Sequence, residues 1–302
     1  MQSRGREHVA EIFKPLMFSI IIPTLNNFYY LKICLESLKK NSSLNNEIII
    51  HINEGGDGTL DYVRNNNYLY TLSKEKLGLC SSTNLAATKS TKNYILYSHD
   101  DMYFLPEWDV ILKKELSALQ NNLFYLSGTM MGPGEHINYD CGKEYKDFDE
   151  DKLLANYKNH NLYDHQGTHW APHLIHKDIW NKISGFSEEF DPGFGSDPDL
   201  NMKLWKEGVR YFKGINNFKV YHFGSISLRK KKDLVANKGG KTFLKKWGIT
   251  TSFFKKHYLR SMEVFDGPLP EVQKNMRYYF DLFICKLKWI YLFIGKLKWI
   301  LS

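Results

Sequence analysis

Cysteine is scarce in this 302-residue chain, and the four that occur, Cys34, Cys80, Cys141 and Cys285, lie far apart with no Cys-x-x-Cys. Such dispersal excludes a zinc knuckle and a disulfide framework, and it fits a reducing cytoplasm. An N-terminal apolar stretch is also missing. Met1 to Pro15 mixes charges and has no signal-peptide core, so secretion by that route is not expected. The most apolar region, near the C-terminus, is interrupted by four lysines (Lys286, Lys288, Lys296 and Lys298), which argues against an ordinary transmembrane span.

What is present is ordinary for a folded protein: 43% hydrophobic and 25% charged residues, in a chain long enough to bury a sizeable core. The 41 Lys and Arg outnumber the 33 Asp and Glu, giving a net charge of +8. This excess points to an anionic partner without saying which kind. It is concentrated late in the chain, in Arg229-Lys-Lys-Lys232 and the lysines from 238 to 298.

Apolar runs alternate with helical spacing through the first half. Phe18 to Ile22 reads as a β-branched strand ended by Pro23, and Phe28 to Lys40 as a helix. Glu47 to Ile52 is a second strand, followed by the polar loop Asn53 to Gly58 and a helix from Thr59. Leu85 to Lys92 completes a further helix. Strands alternating with helices imply a parallel sheet covered on both faces. Further along, the expected elements are a helix over Trp108 to Leu119, strands over Leu123 to Met130, His173 to His176 and Phe218 to Phe223, and a helix over Asp199 to Glu207. Residues 132 to 168 are polar and read as a long surface excursion.

The stretch Asn93 to Met102 carries the most chemistry, because a strand-length apolar run ends on Asp100 and Asp101. At the C-terminal edge of an open α/β sheet, paired carboxylates suit a divalent cation holding phosphates, although a solvated turn would look similar. Pro23-Thr-Leu-Asn26 and Asn53-Glu54 also follow strands, so the topology brings all three loops to one edge.

These residues resemble the family 2 glycosyltransferases, which have the GT-A fold. The resemblance runs over roughly residues 17 to 228. Ser19-Ile-Ile-Ile-Pro-Thr-Leu-Asn26 is similar to the family's first strand and nucleotide-binding turn. Asn53-Glu-Gly-Gly-Asp-Gly-Thr59 resembles its Asp-Asp-Gly-Ser-x-Asp-Gly-Thr pattern, one residue shorter and with Asn and Glu for two Asp. Gly78 to Asn84 matches its Gly-to-Asn spacing, and His99-Asp-Asp101 stands in place of Asp-x-Asp. Ser184-Gly-Phe-Ser-Glu-Glu-Phe190 with Gly195-Ser-Asp-Pro-Asp-Leu200 resembles its Gly-Gly-Phe-Asp-Glu and Glu-Asp-x-Asp-Leu segments. His222-Phe-Gly-Ser-Ile-Ser227 resembles its closing His-x-Gly-Ser-x-Ser.

The resemblance implies a metal-dependent, inverting glycosyltransferase. Its nucleotide-sugar donor, a UDP-sugar by default, would be held by Pro23, Thr24, Asn26, Asn53, Glu54, Gly78, Asn84 and Asp100. Asp101 and His222 would hold Mn²⁺ or Mg²⁺, and Asp197 would be the general base. From the residues alone, Asp197 reads first as a helix cap, and His222 reads equally as a satisfied strand-end histidine. His99 is either a ligand or a hydrogen-bonding partner of its loop.

The implied domains are an N-terminal extension (1–16), a catalytic domain (17–228) and a basic, aromatic helical region (229–302). The catalytic domain divides into a nucleotide-sugar half (17–102) and an acceptor half (103–228). In the last region Leu282 to Ile290 nearly repeats as Leu292 to Ile300, interleaving Trp289, Trp299 and aliphatic residues with lysine. That mixture suits an anionic membrane surface, with docking on the catalytic domain or on a second subunit as the alternative. The expected setting is the cytoplasmic face of a membrane, where a saccharide or lipid-linked saccharide acceptor would be extended into surface polysaccharide or glycolipid.

Two rivals are weaker. A nucleotidyltransferase calls for a Gly-rich, Lys- or Arg-bearing phosphate loop, which Pro23 to Tyr30 lacks, and carboxylate-ended strands would repel a nucleic acid. His160, His165, His169, His173 and His176 are spaced too irregularly to suggest a second metal site. Trp170 reads as either a sugar-stacking or a core residue.

Overall fold

In the computed structural model, residues 17–224 and 237–300 are described, with side chains at 17–224 and 239–292. The N-terminal extension, Ser225 to Ser227, the basic run from Arg229 to Lys232 and the Trp299 side chain lie outside them.

Strands β1 (Phe18–Leu25), β2 (Glu47–Asn53) and β3 (Leu69–Ser73) run parallel, and β4 (Tyr94–Tyr97) joins the other side of β1. Helices α1 (Phe28–Lys40), α2 (Thr59–Asn65) and α3 (Leu79–Ala87) connect them, and α4 (Trp108–Ala118) follows the short β5 (Met102–Phe104). The sheet then turns mixed. Strand β6 (Phe124–Gly132) is antiparallel to β9 (His173–His176), which is antiparallel to β4. The long β10 (Tyr211–His222) runs parallel to β6 and antiparallel to β5. The order across the sheet is β3-β2-β1-β4-β9-β6-β10-β5, with β7 (Ile137–Asn138) and β8 (His165–Gln166) as short additions.

The first strand extends beyond Pro23, where the sequence suggested an end. Ser98 N still donates to Ile21 O, but β4 then leaves the sheet. Two residues on from Ile21, Pro23 faces the vacated flank, and its missing N–H costs no ladder bond. β3 and β5 were not expected. One is a half-exposed edge strand with little apolar contrast, and the other has only three residues directly after the acidic pair.

Residues 132 to 168 are more than an excursion. Besides β7 and β8 they form α5 (Glu150–Asn156), and Ile137, Cys141, Leu153 and Tyr157 pack with Tyr30, Tyr103, Tyr221 and Phe223 in a second core. Tyrosine supplies apolar bulk that a count of polar residues hides. Helices α6 (Lys177–Lys182) and α7 (Ser196–Lys206) complete the second half.

The boundary drawn near residue 228 falls outside the described residues, but the helices beyond it share the main core. Helices α8 (Asn237–Trp247) and α9 (Thr251–His257) contribute Phe243, Phe253 and Phe254, the loop after α9 adds Leu259 and Leu269, and α10 (Met276–Ile300) adds Tyr278 and Cys285. Polar ties reinforce the packing: Trp247 Nε1 donates to Asp199 Oδ1 at 2.7 Å, and Lys246 Nζ lies 3.0 Å from the same oxygen.

Candidate active site

A cleft of about 390 Å³ opens where β1, β2 and β4 end, and the loop at residues 192–195 closes its far side. Among its walls are Pro23, Thr24, Asn53, Gly78, Asp100, Asp101 and Asp197 from the expected set, together with His99. Residues more than 170 positions apart in sequence thus meet at one edge of the sheet.

The side of the cleft formed by β1 and β2 is built from interlocked polar groups. Thr24 Oγ1 donates to Asp100 Oδ2 at 2.6 Å. Asn53 is fixed through both ends of its amide: Nδ2 donates to Ser82 Oγ at 3.0 Å, and Oδ1 accepts from Ser73 Oγ and Leu77 N. Asn26 and Glu54 lie outside the cleft wall, where Asn26 Nδ2 donates to Glu54 Oε2 at 2.8 Å on exposed surface. Asn84 is also elsewhere. Its amide exchanges two 2.9 Å hydrogen bonds with the backbone of Phe186, tying α3 to the second half of the fold.

Gly78 owes its identity to a residue the sequence did not single out. Asp191 accepts from Cys80 N at 2.7 Å and from Ser81 Oγ at 2.5 Å, capping α3 from 111 residues away. A Cβ on Gly78 would lie 2.0 Å from the Asp191 carboxyl carbon. A cap supplied by a distant segment leaves no spacing signal of the kind a local cap gives.

β5 pairs with the end of β10 so that His222 stands opposite Met102, next to Asp101, and Phe223 N donates to Asp101 O. His222 Nε2 is 3.5 Å from Asp101 Oδ1, and His99 Nδ1 is 4.0 Å from the same oxygen. One donor atom from each residue lies within 4.8 Å of the other two, so the three fit a single divalent cation. The five histidines between 160 and 176 form no such group among the described residues. His165 and His173 are buried without hydrogen-bond partners, and Trp170 is buried with Nε1 donating to Gly128 O at 2.8 Å.

Electrostatics separates the roles of these groups. Burial lowers His99 to about 4 against the pull of Asp101, keeping its imidazole neutral. Burial would lower His222 too, but the carboxylates of Asp101 and Glu135 outweigh it and raise it to about 10. A cation held by His222 would take the place of a proton on its imidazole. Asp100 is raised by burial and then by the neighbouring Asp101. Asp197, at the start of α7, is raised to about 7 by burial alone, and its Oδ1 has no hydrogen-bond partner among the described residues.

Comparison with known proteins agrees with this architecture. Residues 19–171, about half of the chain, match the family described as "Glycosyl transferase family 2". The chain belongs to that family. It is 24% identical over 245 residues to a hyaluronan synthase of Pasteurella multocida, an alignment covering 74% of this chain. The chain spans about a quarter of the length of that relative. Among solved structures, S. aureus TarS 1–349 superposes with a TM-score of 0.53 at 17% identity, covering 80% of this chain and 73% of that one. The same fragment in complex with UDP-GlcNAc gives a TM-score of 0.51 at 16% identity, covering 80% and 75%. The fold is GT-A, a mixed sheet flanked by helices.

Proposed function

We propose that this chain transfers a sugar from a nucleotide-diphosphate donor to a hydroxyl acceptor, with metal assistance and inversion at the anomeric carbon. One observation carries the reading: His99 and Asp101, which with His222 make a cation-ready group, line the same cleft as Asp197, a carboxylate raised to about 7 with an oxygen that has no hydrogen-bond partner among the described residues. Departure of a diphosphate requires neutralisation of its charge, and attack by a hydroxyl requires a base near neutrality. A cation held by Asp101 and His222 would supply the first, and Asp197 the second. Thr24, Asn53 and Asp100 form the donor wall, and a uridine diphosphate sugar is the donor of choice because TarS structures carry UDP and UDP-GlcNAc. A saccharide acceptor, as in polysaccharide assembly, is favoured by the likeness to a hyaluronan synthase.

We place that acceptor at the cytoplasmic face of a membrane. Tyr278, Leu282 and Cys285 turn one side of α10 toward the protein. Met276, Phe280, Phe283, Leu287 and Ile290, spaced by fours and threes, are exposed on the other side. Exposed Lys286 and Lys288 accompany them. An apolar stripe with lysines complements anionic lipid, whereas a second copy of the helix would bring like charges together. Among the described residues no helix is long and apolar enough to cross a membrane.

Incubation with a panel of nucleotide sugars, with and without Mn²⁺, tests the function. Metal-dependent release of nucleotide diphosphate from a UDP-sugar, lost in Asp101→Asn, is the expected result. Equal UDP affinity of parent and Asp101→Asn at saturating Mn²⁺, measured calorimetrically, would reject Asp101 as the ligand.

A further inference from the structure

The first position of the expected Asp-x-Asp is a histidine, and the geometry gives it a role that the sequence left open. Donors sharing one ion through bonds of about 2.1 Å stand roughly 3.0–4.2 Å apart, from right-angled to opposed. His222 Nε2 and His99 Nδ1, at 3.5 and 4.0 Å from Asp101 Oδ1, both fall within that span. The carboxylate and the two imidazoles come within 4.8 Å of one another from two parts of the fold: His99 and Asp101 from the turn between β4 and β5, and His222 from the end of β10.

Behind His222 stands Glu135, whose Oε1 is 2.7 Å from Nδ1. A carboxylate there keeps the proton on Nδ1 and leaves Nε2 to face a cation beside Asp101. Gly132 makes this approach possible. A Cβ at Gly132 would lie 2.5 Å from the His222 carbonyl oxygen, so only glycine lets the turn carrying Glu135 lie against β10.

We infer that His99, Asp101 and His222 form a two-imidazole, one-carboxylate site that takes a transition-metal dication in preference to Mg²⁺, with Glu135 as a positioning residue for His222. The inference rests on the metal-assisted reading above. Mg²⁺ demands hard oxygen ligands and sheds water reluctantly, whereas imidazole nitrogen favours the first-row transition metals. With two of three protein donors being nitrogen, replacing His99 by a carboxylate removes half of that discrimination at the protein's side. Diphosphate oxygens would complete the coordination of either ion and so do not decide between them.

The test uses the metal-free 302-residue protein titrated with CoCl₂, followed by visible absorption, and competed with MgCl₂. The parent should bind Co²⁺ and resist displacement by equimolar Mg²⁺. His99→Ala should weaken Co²⁺ binding by at least about tenfold, the scale on which outer partners already act. His99→Asp should retain binding while shifting the absorption bands and narrowing the preference over Mg²⁺. Glu135→Ala should weaken Co²⁺ binding by roughly 10- to 100-fold, with Glu135→Gln restoring most of it because its amide oxygen still accepts from Nδ1. Unchanged melting temperatures of the metal-free variants would separate these effects from folding. Unaltered Co²⁺ affinity and spectrum in His99→Ala, or equal displacement by Mg²⁺ in the parent, would overturn the inference. If Asp101→Asn still abolished Co²⁺ binding in that case, the metal-assisted function would stand without it. Failure of the parent to bind either ion would remove both.

Discussion

At the residue scale, the proposed chemistry depends on giving two carboxylates in one cleft different work. Asp101 has two imidazoles within 4.0 Å of one oxygen, whereas Asp197 has burial as its dominant influence and is raised to about 7. A base must be ionised, so transfer should rise with pH as Asp197 deprotonates, with a midpoint at or below about 7, since a nearby cation would pull it down. Asp197→Asn keeps the shape and removes the base. Its transfer rate should fall by roughly 10²–10⁴-fold and lose that pH limb, while donor affinity changes little. Steady-state rates across pH, set beside calorimetric UDP binding, check both halves, and a mutant with parental rates would reduce Asp197 to a helix cap. Gly78 is constrained differently. Gly78→Ala must push Asp191 off the start of α3, because the new Cβ would sit 2.0 Å from the carboxyl carbon. Loss of that cap should cost about 1 kcal/mol in urea unfolding and weaken UDP binding, since Gly78 also lines the cleft. Unchanged values on both counts would mean that the 192–195 loop adjusts freely.

At the scale of elements, the parallel half apart from β3 was legible because β1, β2 and β4 are short apolar runs ending in polar loops. The acidic pair, Thr24 and Asn53 were found by asking where such loops converge. Asn84 and Glu54 matched a motif, yet their side chains are spent on Phe186 and Asn26. A motif fixes position along the chain but not which way an amide or carboxylate turns. Glu135 and Asp191 were illegible for the opposite reason: both act through contacts made only after folding, across 87 and 111 residues. Helix α10 was read as tryptophan and aliphatic residues interleaved with lysine, and packing resolves its described part into an inner face and an outer stripe. Replacing Phe283, Leu287 and Ile290 together with Gln should release the protein from vesicles containing anionic lipid without changing UDP affinity. Because about 1 kcal/mol per basic residue comes from the lysines, binding of the parent should weaken with salt. Cosedimentation unaffected by the triple substitution would transfer the stripe from lipid to another partner.

At the scale of the whole molecule, composition separated a basic, aromatic end from a near-neutral front, and that charge boundary suggested a structural one. Charge, however, reports the surface, while continuity of the core depends on buried side chains that charge counts ignore. Phe243, Phe254, Leu259 and Leu269 are at most 3% exposed, in the same core as β1 and β10. Burying each contributes on the order of 1.5–3 kcal/mol. Four such residues match most of the roughly 5–15 kcal/mol by which a domain is stable. Their loss would also uncover the surface of α7 against which α9 packs. A chain ending at Ser227 should therefore fail to give a cooperative thermal transition and should bind no UDP, even though every residue of the candidate site is present. A chain ending at Lys288 keeps Tyr278, Leu282 and Cys285 against the core and sheds only the part of α10 beyond them. It should melt close to the parent and bind UDP, while binding anionic vesicles more weakly. Calorimetric melts of the two truncations decide the matter: a cooperative, UDP-binding protein ending at Ser227 would show that the basic end is a separable appendage after all.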